Sequence, residues 1–305
     1  MRYLLPLQYI DAVARTGSIR KAAEQLAITS TALNRRILAM EEELGVSLFE
    51  RLPRGVRLST AGEMFIHHAR SQMAEMDRLR SRIADLSGVR RGHVSIGCSQ
   101  ALLPYFMPRH VAAYRQNHPA VTFSTRVHNR EAAVTALVEF ETDIELIFEP
   151  LQVPEFKPLM MIEQQIQAVM AADHPLAGSQ RLRLSHLQEY PLAMPTAANG
   201  VRYLIDAALM RSGQTLQPTI ESDSFDFLRH YVMHEHCITF QIPLGLPQTT
   251  DQSIVIKPLD RRDVPSGKLF VSQLRGRNLP VAAARFANDI INDLRETYGD
   301  ESDPY

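Results

Sequence analysis

Residues 29–35 read TSTALNR, a run of side chains able to form hydrogen bonds with duplex DNA. Hydroxyl and amide groups read the edges of bases in the major groove, and guanidinium groups bind phosphate oxygens. The run therefore predicts a helix whose exposed face contacts DNA. On its own it also fits an ordinary amphipathic helix with a solvated basic face.

The neighbouring residues predict the elements that position this run. Ser18 is expected to cap a first helix and Thr29 a second, because a hydroxyl accepts from an unpaired first-turn N–H. Ala27 and Ile28 form a tight turn between them, and the order predicts a helix-turn-helix. Apolar residues about one turn apart give the second helix a buried stripe, at Leu33, Ile37, Met40 and Leu44.

A short hairpin is expected over residues 49–59, FERLPRGVRLS. Phe49 and Leu58 are expected to face the core, and Gly55 suits the tip because glycine adopts positive φ freely. Arginines on such a wing follow the DNA backbone or enter a minor groove, where the potential is most negative. A hairpin that is simply solvated is the alternative. The three wing arginines are Arg51, Arg54 and Arg57.

Residues 3–66 resemble the DNA-binding domain of LysR-type transcriptional regulators, through LLPLQYIDAVARTGSIRKAAEQLAITSTALNRRI and MEEELGVSLFERLPRGVRLSTAG. Two positions depart from that family: Ser30 replaces a glutamine that commonly reads a base edge, and Asn34 replaces a serine. We hypothesise that Asn34 contacts a base, since asparagine can pair with adenine through two hydrogen bonds. The predicted DNA-binding residues are Ser18, Arg20, Thr29, Ser30, Thr31, Asn34, Arg35, Arg36, Arg51, Arg54 and Arg57.

The charge distribution agrees with this division of labour. Residues 1–92 hold 15 Lys and Arg against 10 Asp and Glu, whereas the remainder holds 18 against 24. The basic part has the electrostatic character expected of a DNA-binding region. The acidic part should contribute little to DNA affinity.

A long helix is expected from a capping box at Thr60 and Glu63 to about residue 88. Apolar residues on it follow spacings of four and three, which favours pairing with a second copy; packing on its own chain is the alternative. Gln72 lies within this seam, and residues 88–92 form a hinge. In the resembled family this helix makes a dimer, and dimers pair into tetramers. The predicted dimerisation residues are Phe65, Ala69, Met76, Leu79, Ile83 and Leu86.

From His93 onward short apolar segments alternate with helical patterns, which predicts an α/β organisation. This part resembles the effector domain of the same regulators, a two-lobed, periplasmic-binding-protein-like fold. Strands are expected at HVSIGCS, VTFSTRVH, DIELIFEP, QIQAVMAA, PLAMP, CITFQIP and GKLFVSQL, and helices from about Leu102, over Arg130–Phe140, and near 201–212, 224–235 and 280–298. The predicted α plus α/β organisation is a winged helix-turn-helix over 1–59, a linker helix and hinge over 60–92, and an effector domain over 93–305 (lobe I 93–163 and 267–305, lobe II 164–266).

Ligands of α/β sheets bind at the carboxyl ends of strands, where helix N-termini suit carboxylates. The resemblance implies that Ser99, Gln100, Asn129 and Thr196 line an inducer cleft, although each also fits plain N-capping. Glu149 would favour a polar or amine-bearing ligand if it points inward, and is a surface acid otherwise. The predicted effector-binding residues are Ser99, Gln100, Asn129, Phe148, Glu149, Thr196, Ser222 and Ser224.

The segment HEHC at 234–237 raises the question of a metal site. We predict none, because no second ligand cluster has structural-site spacing, and we place the histidines at a helix C-terminus. Cys98 could sense oxidants if a helix N-terminus lowered its pKa. We favour the alternative, a small buried strand residue.

Enzyme signatures are absent from the sequence: it has no Gly-x-Ser-x-Gly elbow, no P-loop and no dinucleotide fingerprint. We therefore expect no catalytic residues and no cofactor. Two cysteines, no signal peptide and no long apolar run indicate a cytoplasmic protein with no membrane partner. The expected partners are double-stranded DNA, a small-molecule effector such as a small carboxylate or aromatic acid, and further copies of the chain. A DNA-binding architectural protein and a cleft enzyme fused to a DNA module are the alternatives.

Overall fold

The computed structural model describes residues 4–86, 92–247 and 252–299. The chain divides into two compact units, Met1–Ile83 and Ala84–Tyr305, so the first unit includes most of the predicted linker helix. The domain limits at residues 59 and 92 stay predictions. Residues 88–91 of the predicted hinge lie outside the described residues, and Gly92 begins a strand.

The first unit is built from helices and one hairpin. Ser18 and Thr29 cap their helices as predicted: Lys21 N–H donates to Ser18 Oγ at 3.4 Å, and Ala32 N–H to Thr29 Oγ1 at 3.2 Å. Leu33 and Ile37 are buried and Met40 is partly buried, but Leu44 is exposed because it is the last residue of its helix. The elements are α1 (Leu5–Thr16), α2 (Ile19–Gln25), α3 (Ser30–Leu44), β1 (Phe49–Leu52), β2 (Gly55–Leu58) and α4 (Thr60–Leu86).

Strands β1 and β2 form the predicted hairpin, with Phe49 opposite Leu58 in the core. Gly55 has φ +96°, and a Cβ atom there would lie 2.4 Å from Gly17 O. The next residue, Val56, donates its N–H to Gly17 O at 2.9 Å. The hairpin is therefore fixed to the α1–α2 turn by a close backbone approach that only glycine allows.

Helix α4 begins at Thr60, but the predicted capping box at Thr60 and Glu63 is wrong. Ser59, one residue earlier, provides the acceptor: Gly62 N–H donates to Ser59 Oγ at 3.0 Å. An ion pair between Arg70 and Asp11, 2.6 Å from Nε to Oδ1, joins α4 to α1. Ser59 and this pair together set where the helix starts and which face it turns to the core.

The predicted dimerisation seam is divided between two environments. Phe65 and Ala69 pack in the core of the first unit, so the alternative of packing within the chain holds for them. Leu79 and Ile83, farther along α4, are 46% and 53% exposed. Gln72 is exposed and Met76 half-buried, and the Leu86 side chain lies outside the described residues.

The described part of the second unit contains three sheets flanked by helices, the predicted α/β organisation. A five-stranded sheet has the order β4-β3-β5-β12-β6, with β3 parallel to β4 and β5; a three-stranded sheet has the order β10-β7-β11, and β8 pairs with β9. The elements are β3 (Gly92–Cys98), α5 (Phe106–Asn117), β4 (Val121–Val127), α6 (Arg130–Val138), β5 (Ile144–Phe148), β6 (Phe156–Gln164), β7 (Gln167–Ala171), β8 (Ala193–Pro195), α7 (Gly200–Ser212), β9 (Ile220–Ser222), α8 (Phe225–Tyr231), β10 (Thr239–Gln241), β11 (Ile254–Pro258), β12 (Gly267–Leu274) and α9 (Val281–Tyr298).

Some expectations for this unit were wrong. The helix expected from Leu102 is a 3-10 turn over Gln100–Leu102, and α5 begins only at Phe106, after Pro104, which has no N–H to continue a helix. Strands β6, β9 and β11 were not predicted. Strand β6 contains Pro158, which is tolerated because β6 is an edge strand and Pro158 lies beside a register shift.

Across residues 4–86, 92–247 and 252–299, no helix combines the length and hydropathy that a membrane crossing requires.

Candidate nucleic-acid interface and ligand cleft

The outer face of α3 presents hydrogen-bonding groups to solvent. Ser30, Thr31 and Arg35 are exposed within the first two turns of the helix. The Thr29 hydroxyl is already used as the helix cap, and so is that of Ser18 on α2. The exposed part of the predicted set on α3, apart from the capping Thr29, is therefore two hydroxyls and two guanidinium groups, since Arg36 is exposed as well.

Asn34 is half-buried and already engaged. Arg51, in strand β1, donates from Nη2 to Asn34 Oδ1 over 3.1 Å. This hydrogen bond joins the helix and the hairpin, the two elements predicted to contact DNA. The Asn34 amide oxygen is therefore already occupied, whereas the contact with adenine through two hydrogen bonds that we hypothesised requires this oxygen to be free.

The other arginines predicted to bind DNA differ in whether their guanidinium group already contacts another side chain. Arg20, Arg35 and Arg54 are exposed, and no ion-pair partner is found for them among the described residues. Arg57 instead binds Glu50 across the hairpin, with Nη2 and Oε2 2.7 Å apart. Arg36 lies over the Tyr9 ring, its guanidinium carbon 5.1 Å from the centroid.

Three predicted cleft residues, Ser99, Asn129 and Glu149, follow the adjacent ends of the parallel strands β3, β4 and β5. Ser99 follows β3, and its N–H donates to Leu146 O at 2.9 Å. Asn129 follows β4 and caps α6, accepting at Oδ1 from Glu131 N–H at 3.1 Å and Ala132 N–H at 2.8 Å. For Asn129 the alternative of N-capping therefore holds.

Glu149, which follows β5, is neither a free cleft residue nor a plain surface acid, because it is hydrogen-bonded to the backbone of β12. Its Oε1 accepts from Lys268 N–H at 2.6 Å, and its own N–H donates to Lys268 O at 2.8 Å. The residue has φ +51°, so this double contact with β12 holds a strained backbone. Phe148 is buried between Gly200 and Gly267, where any Cβ would clash with it.

The predicted effector residues in and beside the β8–β9 pair also form hydrogen bonds with backbone groups. Thr196 N–H donates to Ser222 O at 3.2 Å, and Ser222 Oγ accepts from Ser224 N–H at 3.1 Å. Ser224 Oγ caps α8. Gln100 reaches α8 as well, since its Oε1 accepts from Phe225 N–H at 2.8 Å. Gln100 therefore joins the end of the five-stranded sheet to the helix beside β8 and β9.

Sequence reasoning missed Arg130 and Tyr203. Arg130, the first residue of α6, lies over the ring of Tyr203 on α7, its guanidinium carbon 3.7 Å from the centroid. Its Nε also donates to the Glu149 carbonyl. The position of Arg130 directly after Asn129 was a usable signal, but no local pattern indicates a stacking partner 73 residues away.

A buried acid lies beneath the end of β3. Glu145 is fully buried and its Oε1 accepts from Thr142 Oγ1 at 2.6 Å and contacts His128 Nδ1 at 2.8 Å. Burial raises the pKa of the Glu145 carboxyl. Burial and then the Glu145 charge raise the pKa of the neighbouring Cys98 thiol to about 12, so the lowered pKa required for oxidant sensing is contradicted.

The HEHC segment follows the end of α8. His234 and His236 are exposed and Cys237 is buried, with its pKa raised by burial to about 11. In the described part of the chain, no three His, Cys, Asp or Glu side chains are grouped to hold a metal ion.

A cavity of about 620 Å³ lies between α5, residues 243–247 and α9. None of the eight predicted effector residues lines it. The strand-end site and this cavity are therefore separate features.

Comparisons with known proteins place these features in a family. Residues 4–63 match the model for bacterial regulatory helix-turn-helix proteins of the lysR family, and residues 87–294 match the LysR substrate binding domain. The RuBisCO operon transcriptional regulator of Allochromatium vinosum is 30% identical over 95% of this chain and 96% of its own length. The transcriptional regulator CbbR of Sinorhizobium medicae is 27% identical over 92% and 96%.

Two solved structures show the same fold. A full-length OxyR variant from Pseudomonas aeruginosa has a TM-score of 0.73 at 20% identity, with 94% of each chain covered. Full-length CbnR in complex with its target DNA has a TM-score of 0.64 at 17% identity, with 95% of this chain and 99% of that chain covered.

Proposed function

Since this chain belongs to the LysR family of bacterial transcriptional regulators, we propose that α3 and the hairpin contact duplex DNA and that a small carboxylate binds at the strand ends of the second unit. Membership makes the chain a regulator with a DNA-binding and an effector-binding domain, not an enzyme. The residues that make each contact are the proposal. The observation that carries it is the open polar face of α3, on which Ser30, Thr31 and Arg35 are exposed and which the bond from Arg51 to Asn34 joins to the hairpin.

The proposed DNA contacts divide by chemistry. Ser30 and Thr31 are short enough to approach base edges, and Arg35 and Arg54 supply the charge that binds phosphates. Arg57 contributes less, because Glu50 already neutralises it. Ser18 and Thr29 contribute mainly as helix caps.

The proposed effector class follows from Arg130. Its Nε is used by the Glu149 carbonyl, while its Nη nitrogens have no hydrogen-bond partner among the described residues. The hydroxyls of Ser99 and Thr196 likewise have none there. A guanidinium beside an aromatic ring and two hydroxyls suits a small carboxylate, and an aromatic acid could stack where Tyr203 does.

The proposed regulation is a population shift. An effector that displaces Gln100 from Phe225 N–H or Arg130 from Tyr203 would change how the end of the five-stranded sheet is joined to α8 or how α6 is joined to α7. It can shift the equilibrium only by the difference in its affinity for the two arrangements. We further propose that the exposed Leu79 and Ile83 on α4 pair with a second copy, that dimers assemble into tetramers, and that the protein acts in the cytoplasm.

The test of DNA contact is fluorescence anisotropy of the full-length protein on its own upstream region. A RuBisCO operon promoter is the second probe, because relatives carry that name. We expect Ser30→Ala with Thr31→Ala to lose preference for specific DNA over random competitor. Equal loss on both DNAs would assign these residues to backbone contact alone.

The test of the effector site is a thermal-shift screen of small carboxylates and aromatic acids. We expect one class to raise the melting temperature, and Arg130→Gln to abolish that rise. A rise that survives Arg130→Gln but not substitution in the 620 Å³ cavity would place the site elsewhere.

A further inference from the structure

We propose that Asn34 and Arg51 form one base-reading unit that selects guanine, an inference that rests on the proposed DNA contact by α3. The sequence alone pointed to adenine, because asparagine can offer adenine one donor and one acceptor. The hydrogen bond between the two side chains changes which atoms Asn34 presents.

Arg51 fixes the orientation of the Asn34 amide. A guanidinium group has donors only, so the atom of Asn34 that faces Arg51 Nη2, 3.1 Å away, is the oxygen. The Nδ2 amino group then points away from Arg51. The amide therefore offers donors to an approaching ligand, while its acceptor is held by the hairpin.

The hairpin register keeps Arg51 available for this role. Arg51 lies opposite Val56 and on the same face of β1 as Phe49, which packs in the core. Glu50 and Arg57 lie opposite each other on the other face and bind one another at 2.7 Å. Glu50, the acidic residue of the hairpin, is thus already paired with Arg57, and Arg51 binds Asn34 instead.

The combined surface matches one base best. Arg51 is exposed and has further N–H groups beyond the one given to Asn34, so the pair presents donors from both residues. Guanine offers two acceptors, N7 and O6, at the major-groove edge, whereas adenine offers one acceptor and one donor. An all-donor pair therefore favours guanine.

The experiment is selection of binding sites by the full-length protein from duplexes with randomised positions. The base read by the pair is the position whose preference disappears in Asn34→Ala. We expect wild type to prefer guanine there by about tenfold over adenine. Arg51→Ala frees the Asn34 oxygen and should move the preference to adenine.

Arg54→Ala is the matched control, because it removes the same charge from the same hairpin without touching Asn34. It should weaken binding to all sequences and leave the guanine preference intact. Adenine preference in wild type, or guanine preference retained in Arg51→Ala, would overturn the proposal.

Asn34→Asp tests the same inference if Arg51→Ala binds too weakly for selection. A carboxylate still accepts from Arg51 but presents an acceptor outward, so the preference should move from guanine to cytosine, whose N4 donates. Retained guanine would overturn the proposal. Failure of wild type to enrich any sequence would instead contradict the proposed DNA contact by α3.

Discussion

The polar side chains of the two units differ in what they do before any ligand binds. On the first unit, Ser30, Thr31 and Arg54 are exposed and carry no structural hydrogen bond among the described residues. On the second unit, Asn129 caps a helix and Gln100 accepts from the N-terminus of another. The proposed DNA surface is therefore largely open before DNA binds. An effector that uses Asn129 or Gln100 must compete with the fold for those two contacts, whereas the Nη nitrogens of Arg130 are available to it.

This difference has an energetic consequence. Exchanging one protein hydrogen bond for one to a ligand changes the free energy by about 1 kcal/mol, so little affinity is gained at residues already satisfied. Such an exchange instead frees the protein group to which the side chain was hydrogen-bonded. At Gln100 that is Phe225 at the start of α8, which makes this residue suited to couple binding to a change in shape.

The largest expected effect tests whether the close approach of Gly55 to Gly17 stabilises the unit that carries the proposed DNA surface. Gly55→Ala adds a Cβ 2.4 Å from Gly17 O at a residue with φ +96°, and should lower the free energy of unfolding by roughly 2–4 kcal/mol. Gly45→Ala is the control: φ is +71° but nothing lies within 4 Å, so about 1 kcal/mol is expected. Urea denaturation followed by circular dichroism measures both, and equal losses would contradict the close approach.

The next effect concerns charge. Arg54→Ala should weaken DNA binding roughly tenfold at physiological salt and reduce the slope of log affinity against log salt by about one. Arg181→Ala removes an exposed arginine from the second unit and should change neither quantity. A salt series of anisotropy titrations distinguishes them. An unchanged slope for Arg54→Ala would remove the hairpin tip from the interface.

A smaller effect is expected in the second unit. Asn129→Ala should cost about 1 kcal/mol of stability, because Glu131 and Ala132 N–H lose their acceptor. Asn129→Asp keeps an acceptor at the start of α6 and should remain near wild type. If both variants lost the same stability in chemical denaturation, capping would not be what Asn129 contributes.

The smallest expected effect is in thiol labelling, because the two cysteines should not react in the folded protein. The raised pKa values of Cys98 and Cys237, about 12 and 11, keep both thiols protonated well above neutral pH, and both are buried. Thiolate is the reactive form, so neither should react with a disulfide reagent at pH 8 until denaturant is added. Rapid labelling of the native protein at Cys98 would revive the oxidant-sensing interpretation.

Local patterns in the sequence predicted the elements of the first unit but not every detail within them. The caps at Ser18 and Thr29 and the tip at Gly55 depend on residues a few positions apart, so their spacing could be interpreted directly. Leu44 was misjudged because periodicity does not tell where the core ends. The bond from Arg51 to Asn34 was not foreseen, since it joins residues 17 positions apart in two different elements.

The second unit was predicted less completely, for a related reason. Its strands and helices have local signals, but Pro158 hides an edge strand whose tolerance for proline depends on the sheet order. The stacking of Arg130 on Tyr203 brings together α6 and α7, two helices that are far apart in the chain. Candidate cleft residues could be placed at strand ends, but whether each was free or occupied required the structure.

The most direct test of the account is a footprint of the full-length protein on its own upstream region, with and without each carboxylate that raises its melting temperature. We predict that such a compound shifts or shortens the footprint while DNA remains bound, and that Gln100→Ala removes the shift without preventing binding. A footprint unchanged by every compound that stabilises the protein would contradict the claim that occupancy of the second unit is transmitted to the DNA surface.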